Sequence, residues 1–284
     1  MSKLTRGIYP DIPKETYHSD PCEPFSINSS TLWHMITRSP AHFWQHFSHN
    51  PKSTERQVTT TQQNRFDIGT AAHSIVLEGI DKVVPLDFND FRTNNAKNMA
   101  KSVREDNKIP ILRKEYQKVL AMADNFPGEQ LRRQYPGKPE VTVVFELTEK
   151  MLGRLRVDWL PDDLDKNSII FDFKTSETAE PEIWCKRNLW DRSIYQAVFY
   201  TEGMKKLTGK HLDFVFIVQE TSPPYSWISV AIHPDAYEIA LDRVKYAVQK
   251  IVNCLREDTW PAYSNNIAMR YEALPPRWWL DSSF

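Results

Sequence analysis

SIIFDFKT, residues 168–175, is an almost continuous hydrophobic run broken by Asp172 and Lys174. A short β-branched and aromatic stretch of this kind reads as a core strand. On a strand, residues i and i+2 project from one face, so Asp172 and Lys174 point the same way. Burying a carboxylate and an ammonium there is costly unless they pair or bind an ion. Two readings follow: a buried Asp172–Lys174 ion pair, or half of a catalytic site.

The preceding residues bear on that choice. EVTVVFEL (140–147) and MLGRLRVDWL (151–160) have strand character and are separated by short turns, which predicts an antiparallel meander. In a hairpin of 151–160 with 168–175, Asp158 sits beside Asp172. Adjacent carboxylates repel unless a cation lies between them, and a hard cation such as Mg²⁺ takes oxygen ligands. A neighbouring lysine can then orient water and stabilise charge developing on a phosphate.

Further along the chain, a helix is expected around 188–206, with Gln196 and Tyr200 at i, i+4 on one face. Strands at 212–219 and 226–232 follow, and His233-Pro234-Asp235 opens a helix to about Arg256. On the N-terminal side, 1–26 reads as an extended arm. A helix capped by Ser29 or Ser30 comes next, and Pro40 breaks or restarts it. Residues 66–79 predict a buried helix in which Gly69, Ala71 and Ala72 allow close packing around His73, with Gly79 as its stop. Residues 85–110 are mixed and charged, and 111–134 predict an amphipathic helix. The fold class is α/β: a central mixed sheet flanked by helices, with a helical N-terminal arm.

The chain has 284 residues, 40% of them hydrophobic, enough for one sizeable core. The net charge of −1 requires that any DNA groove come from local segregation of cations. Candidate strips are Lys97 with Lys101 and Arg104, Arg132 with Arg133, and Lys186 with Arg187. The three scattered cysteines, Cys22, Cys185 and Cys254, exclude a zinc ribbon or a cysteine-ligated cluster and fit a reducing compartment. The N-terminus lacks a signal-peptide core and no apolar run spans a bilayer, so a cytoplasmic location is expected.

In order, Gly69-Thr70-Ala71-Ala72-His73, a glutamate, Asp158, Asp172-Phe173-Lys174-Thr175, then Gln196 with Tyr200 resembles the RecB-like branch of the PD-(D/E)XK nucleases. Within it, the chain looks like the exonuclease VIII (RecE) group of phage and prophage exonucleases, from about residue 26 to 275. Ser26–Phe43 and Phe91-Arg92-Thr93 share in the likeness. The resemblance implies a PD-(D/E)XK core and one nuclease domain over 1–284. Its parts would be an arm at 1–62, a core at 63–256 with a helical insertion at 85–134, and a tail at 257–284.

It also implies roles. His73, Asp158 and Asp172 would be metal ligands, with the Phe173 carbonyl completing the site. Lys174 would orient the water, and Gln196 and Tyr200 would support the site and the DNA backbone. Glu140 and Glu146 share strand parity as the extra acidic residue, with Glu140 preferred. Where many members have Gly-Arg-x-Asp, this chain has Gly153-Arg154-Leu155-Arg156-Val157-Asp158, leaving open what Arg154 or Arg156 does. Arg65 and Arg92 would contact a terminal phosphate. The implied cofactor is Mg²⁺, replaceable by Mn²⁺, at two ions per site. The implied activity is 5′ to 3′ digestion of linear duplex DNA, leaving 3′ overhangs for a strand-annealing recombinase. A ring-shaped homo-oligomer is implied too, with Trp260, Trp278 and Trp279 offering apolar surface. The alternatives are a single-strand nuclease, or a non-catalytic DNA-binding or assembly module of the same fold.

Overall fold

The computed structural model describes residues 3–53, 68–78, 82–106, 108–264 and 270–275. Arg65, Gly79, Trp278 and Trp279 lie outside them.

The meander read from the sequence is the centre of the fold. Strands β5 (Gly137–Thr148), β6 (Met151–Pro161) and β7 (Ile169–Ser176) pair antiparallel in succession. Strand β8 (Asp213–Glu220) joins β7 in parallel, and β9 (Trp227–Ala231) joins β8 antiparallel. The parallel step requires a crossover. It is a continuous helical run: α8 (Pro181–Trp184), a π-helical stretch Cys185–Ser193, and α9 (Ile194–Thr208), which stops at Gly209 in the left-handed conformation. Helix α10 (Pro234–Glu257) closes the order, with His233 as its N-cap.

The N-terminal arm is more than helical. It carries α1 (Lys14–His18), α2 (Ser29–Thr37) and α3 (Pro40–Gln45), but also two short strands. β1 (Gly7–Tyr9) pairs with β5, and β2 (Ser26–Ile27) pairs with β6 at Leu152 and Gly153. Such short strands have too few residues to show a period, so pairing with the sheet makes them. The cap of α2 is Asn28, whose side chain accepts from the Thr31 N–H at 2.9 Å; Ser29 and Ser30 are the first helical residues.

The segment expected as a helical insertion is mixed. Strands β3 (Val83–Leu86) and β4 (Ile109–Leu112) form a parallel pair beside α5 (Asn94–Glu105), α6 (Arg113–Asn125) and α7 (Gly128–Gln134). The helix holding His73, α4 over residues 68–78, ends in the π-helical turn Ser74–Glu78.

Two cores flank the sheet. On one face Leu32, Met35, Phe43, Val198 and Leu241 pack against Val143, Phe145, Leu155 and Phe216. On the other, Ala71, Ala72, Val119 and Met122 pack against Trp159, Phe171, Phe173 and Ile217. Trp260 packs partly buried against the first core, its ring stacked on Trp44 at 4.5 Å and Phe43 at 5.5 Å. Among the described residues, no helix is long and apolar enough to cross a membrane.

Phe145 lies over two glycines. A Cβ on Gly203 of α9 would sit 2.5 Å from Phe145 Cε1 and 2.8 Å from Leu155 Cδ2. Gly203→Ala is therefore expected to destabilise the fold by about 1–3 kcal/mol, although alanine normally favours a helix. Urea denaturation checks the sign, and a stabilised variant would contradict this packing.

Candidate active site

The site starts from an irregularity in the meander. Leu155 and Val157 face the first core, yet Trp159 faces the second, so strand alternation slips at Asp158. Opposite it, Glu140 adopts a left-handed backbone at φ 56°. The flanking pairs Pro139↔Trp159 and Val141↔Val157 set Glu140 level with Asp158. Trp159↔Phe171, the one registered pair between β6 and β7, sets Asp158 level with Asp172. Three carboxylates from three adjacent strands therefore form a row. Asp158 Oδ2 accepts the Phe173 N–H at 2.8 Å, so a side chain fills a place where the ladder stops.

Asp172 is 1% exposed and anchors one end of the row. Its Oδ2 lies 2.5 Å from Lys174 Nζ, and Gln196 Nε2 donates to its Oδ1 at 2.7 Å. That Oδ2 makes its close contact with Lys174 as an ion pair and takes no well-angled hydrogen bond. Burial alone would lower the Lys174 pKa, but Asp172 and Asp158 outweigh it and hold the group an ammonium.

The other end draws in the helix. A Cβ on Gly69 would lie 3.6 Å from Thr175 Oγ1, an ordinary van der Waals contact, so α4 packs against β7 here with room for a small side chain. This brings His73 Nδ1 to 3.4 Å from Asp158 Oδ2 and its ring edge-on to Phe173 at 5.3 Å between centroids. Burial lowers the His73 pKa, leaving a neutral imidazole with a free lone pair. One ligand atom each of His73, Glu140 and Asp158 lies within 4.8 Å of the others.

The donor set fits a divalent cation. Burial, then the charge of Asp172, pushes the Asp158 pKa well up, with Glu140 adding to it, so the row is strained as an anion. A cation held by His73, Glu140 and Asp158 relieves that strain, with Asp172 next in the row. The Phe173 ring is buried against His73 and Phe126, and its N–H serves Asp158. Glu146 is exposed near the far end of β5.

The two arginines divide their work. Arg156 pairs with Glu140 through Nε and donates to the Ile12 carbonyl at 2.7 Å. Its backbone N–H reaches Tyr200 Oη at 3.5 Å, and Tyr200 is hydrogen-bonded in turn to Tyr17. Arg154 is buried away from the row, paired with Asp20 at 3.1 Å. Sequence reasoning left both open: strand parity places them together, while Arg154 finds its partners in the arm and Arg156 in both β5 and the arm. Of the cationic strips, Arg132 is spent on the Val76 carbonyl at 2.7 Å and Arg133 on Glu129. Lys97, Lys101, Arg104, Lys186 and Arg187 are exposed. Arg92 is exposed, its Nε 3.7 Å from Asp90.

Known proteins bear out the fold. A protein of Eubacterium rectale provisionally named an exonuclease superposes with a TM-score of 0.63 at 12% identity, over 96% of this chain and 99% of that one. An alkaline exonuclease of Laribacter hongkongensis aligns over 70% of this chain and 97% of its own at 10% identity, with a TM-score of 0.28, too low to argue from. No curated protein matches the sequence. The match that places the chain is to a family described as a PDDEXK-like domain of unknown function, over residues 29–272. A mixed sheet between helical layers, with this match over most of the sequence, makes the chain a member of that PDDEXK-like family (DUF3799).

Proposed function

We propose that this chain is a divalent-metal-dependent exodeoxyribonuclease acting on linear duplex DNA. The observation that carries the reading is the carboxylate row Glu140, Asp158, Asp172 bounded by His73 at one end and by Lys174 with Gln196 at the other. A bound Mg²⁺, or Mn²⁺ in its place, supplies Lewis-acid activation of water and charge for the phosphate oxygens. His73, Glu140 and Asp158 bind it, and Asp172 completes the charge for a second ion. Lys174 donates hydrogen bonds toward the attacking water and the scissile phosphate. Gln196 fixes Asp172, and Tyr200 supports the β6 backbone beside the row. The name of the Eubacterium rectale protein agrees with the exonuclease part of this reading. On the sequence resemblance we extend the reading to one nuclease domain that digests 5′ to 3′ as a ring-shaped homo-oligomer and leaves 3′ overhangs for an annealing partner.

The test is a digest of end-labelled linear duplex, nicked circle and single strand, with Mg²⁺, Ca²⁺ or EDTA. Mg²⁺-dependent loss of the linear duplex alone is expected, with little turnover in Ca²⁺, whose looser coordination places water poorly. Preference for single strands moves the substrate, and no cleavage of any DNA refutes the nuclease. His73→Ala is expected to weaken Mn²⁺ binding by at least about tenfold, the low end of what loss of even a residue supporting a metal ligand costs. Isothermal titration on the folded variant checks it. Unchanged affinity with a lowered melting temperature would reduce His73 to a packing residue.

A further inference from the structure

Trp33 gathers two cations beside the site. Its indole N–H donates to the Asp191 carbonyl at 2.8 Å, which ties α2 to the π-helical stretch before α9. Over that fixed ring lie Arg38 and Arg192, each with Cζ 5.6 Å from the centroid. Arg192 also donates to Ser30 Oγ at 2.9 Å. Both arginines are exposed. The ring is thus a scaffold for guanidinium groups and is not left open for base stacking.

Arg192 precedes Gln196 by four residues, one helical turn, and Gln196 is the side chain that holds Asp172. Each guanidinium is exposed at the same indole, where its outer N–H groups can be offered to an anion. Guanidinium forks match phosphate oxygens, and an arginine already stacked loses less freedom on binding than a free one.

We propose that Arg38 and Arg192, organised by Trp33, form a clamp for the phosphodiester backbone of the strand that enters the carboxylate row. The clamp rests on the nuclease reading for its orientation, but its binding chemistry is separable. It grips phosphates, so it is indifferent to base sequence.

Binding is measured in EDTA with fluorescent duplex and single-stranded DNA across a salt series. Arg38→Gln, on an exposed side chain, is expected to weaken affinity severalfold. The slope of log K against log salt should fall by about 0.9 on duplex or about 0.7 on a single strand, one phosphate contact's worth. The arm that loses more identifies the form of nucleic acid held. Trp33→Leu keeps both charges and should weaken binding with less change of slope, and Trp33→Phe, which keeps a ring but loses the N–H to the Asp191 carbonyl, should fall between it and the wild type. Arg192→Gln is checked for folding by its melting curve because Ser30 loses a partner. Wild-type affinity and slope in both arginine variants, or no binding by the wild type, overturns the clamp. Wild-type binding without Mg²⁺-dependent cleavage, with Arg38→Gln losing slope, upholds the clamp while the nuclease reading fails. Cleavage with unchanged KM and slope in the variants sinks the clamp and leaves the nuclease standing.

Discussion

Asp172→Asn is expected to lower Mg²⁺-dependent DNA cleavage by about 10³-fold or more, with folding and most DNA affinity retained. The amide keeps an acceptor for Gln196 Nε2, so the local hydrogen bond survives. What disappears is the charge that faces Lys174 and lies level with Asp158. Lys174→Met should cost a similar factor by a different route, since it removes the donor and leaves Asp172 buried without its counter-charge. DNA affinity is spread over many phosphate contacts and should move far less than turnover in either variant. Single-turnover digestion of linear duplex beside a binding assay in Ca²⁺ separates the two quantities. Turnover by either variant near the wild-type rate would remove Asp172 and Lys174 from the mechanism.

Arg154→Ala is expected to destabilise the protein by about 3–5 kcal/mol, the usual consequence of stranding one member of a buried ion pair. Asp20 would keep His49 Nε2 at 3.0 Å and the Ser26 N–H and hydroxyl, but would lose the guanidinium that faces its buried carboxylate. The same guanidinium donates to the Tyr17 carbonyl at 3.0 Å and to Ser26 O and Oγ at 2.8 and 2.9 Å. These contacts hold α1 and β2 to β6, and the arm in turn supplies Tyr17 to Tyr200. Urea unfolding checks the magnitude, and the double variant Asp20→Asn with Arg154→Met should recover part of the loss because no charge is stranded. A change below about 1 kcal/mol for Arg154→Ala would mean that the arm is not held through this pair.

Much of the sheet was legible because its period is local. The apolar runs at 140–147 and 151–160 lie within β5 and β6, the run at 168–175 starts one residue before β7, and the helix read at 188–206 lies inside the run from α8 to α9. The ends of elements were harder. The expected helix at 111–134 conceals the end of β4 and two helices, because Ile109-Pro110-Ile111-Leu112 is as compatible with a helix start as with a strand. β1 and β2 left no trace in the pattern, since they exist only by pairing with β5 and β6.

The sequence by itself determined that Asp172 and Lys174 share one face of a core strand, because side-chain direction alternates with each residue. It also put Gln196 and Tyr200 on one helical face, because the helix repeats every 3.6 residues. Only the tertiary structure decided which carboxylates join them. The slip at Asp158 and the left-handed Glu140 defeat parity, so alternation alone cannot say where either side chain points. His73 reaches Asp158 because α4 packs against β7, and the two arginines meet over Trp33 because α2 packs beside the π-helical stretch. Such contacts join residues far apart in the chain, and they form when packing closes the space between elements, which no local period encodes.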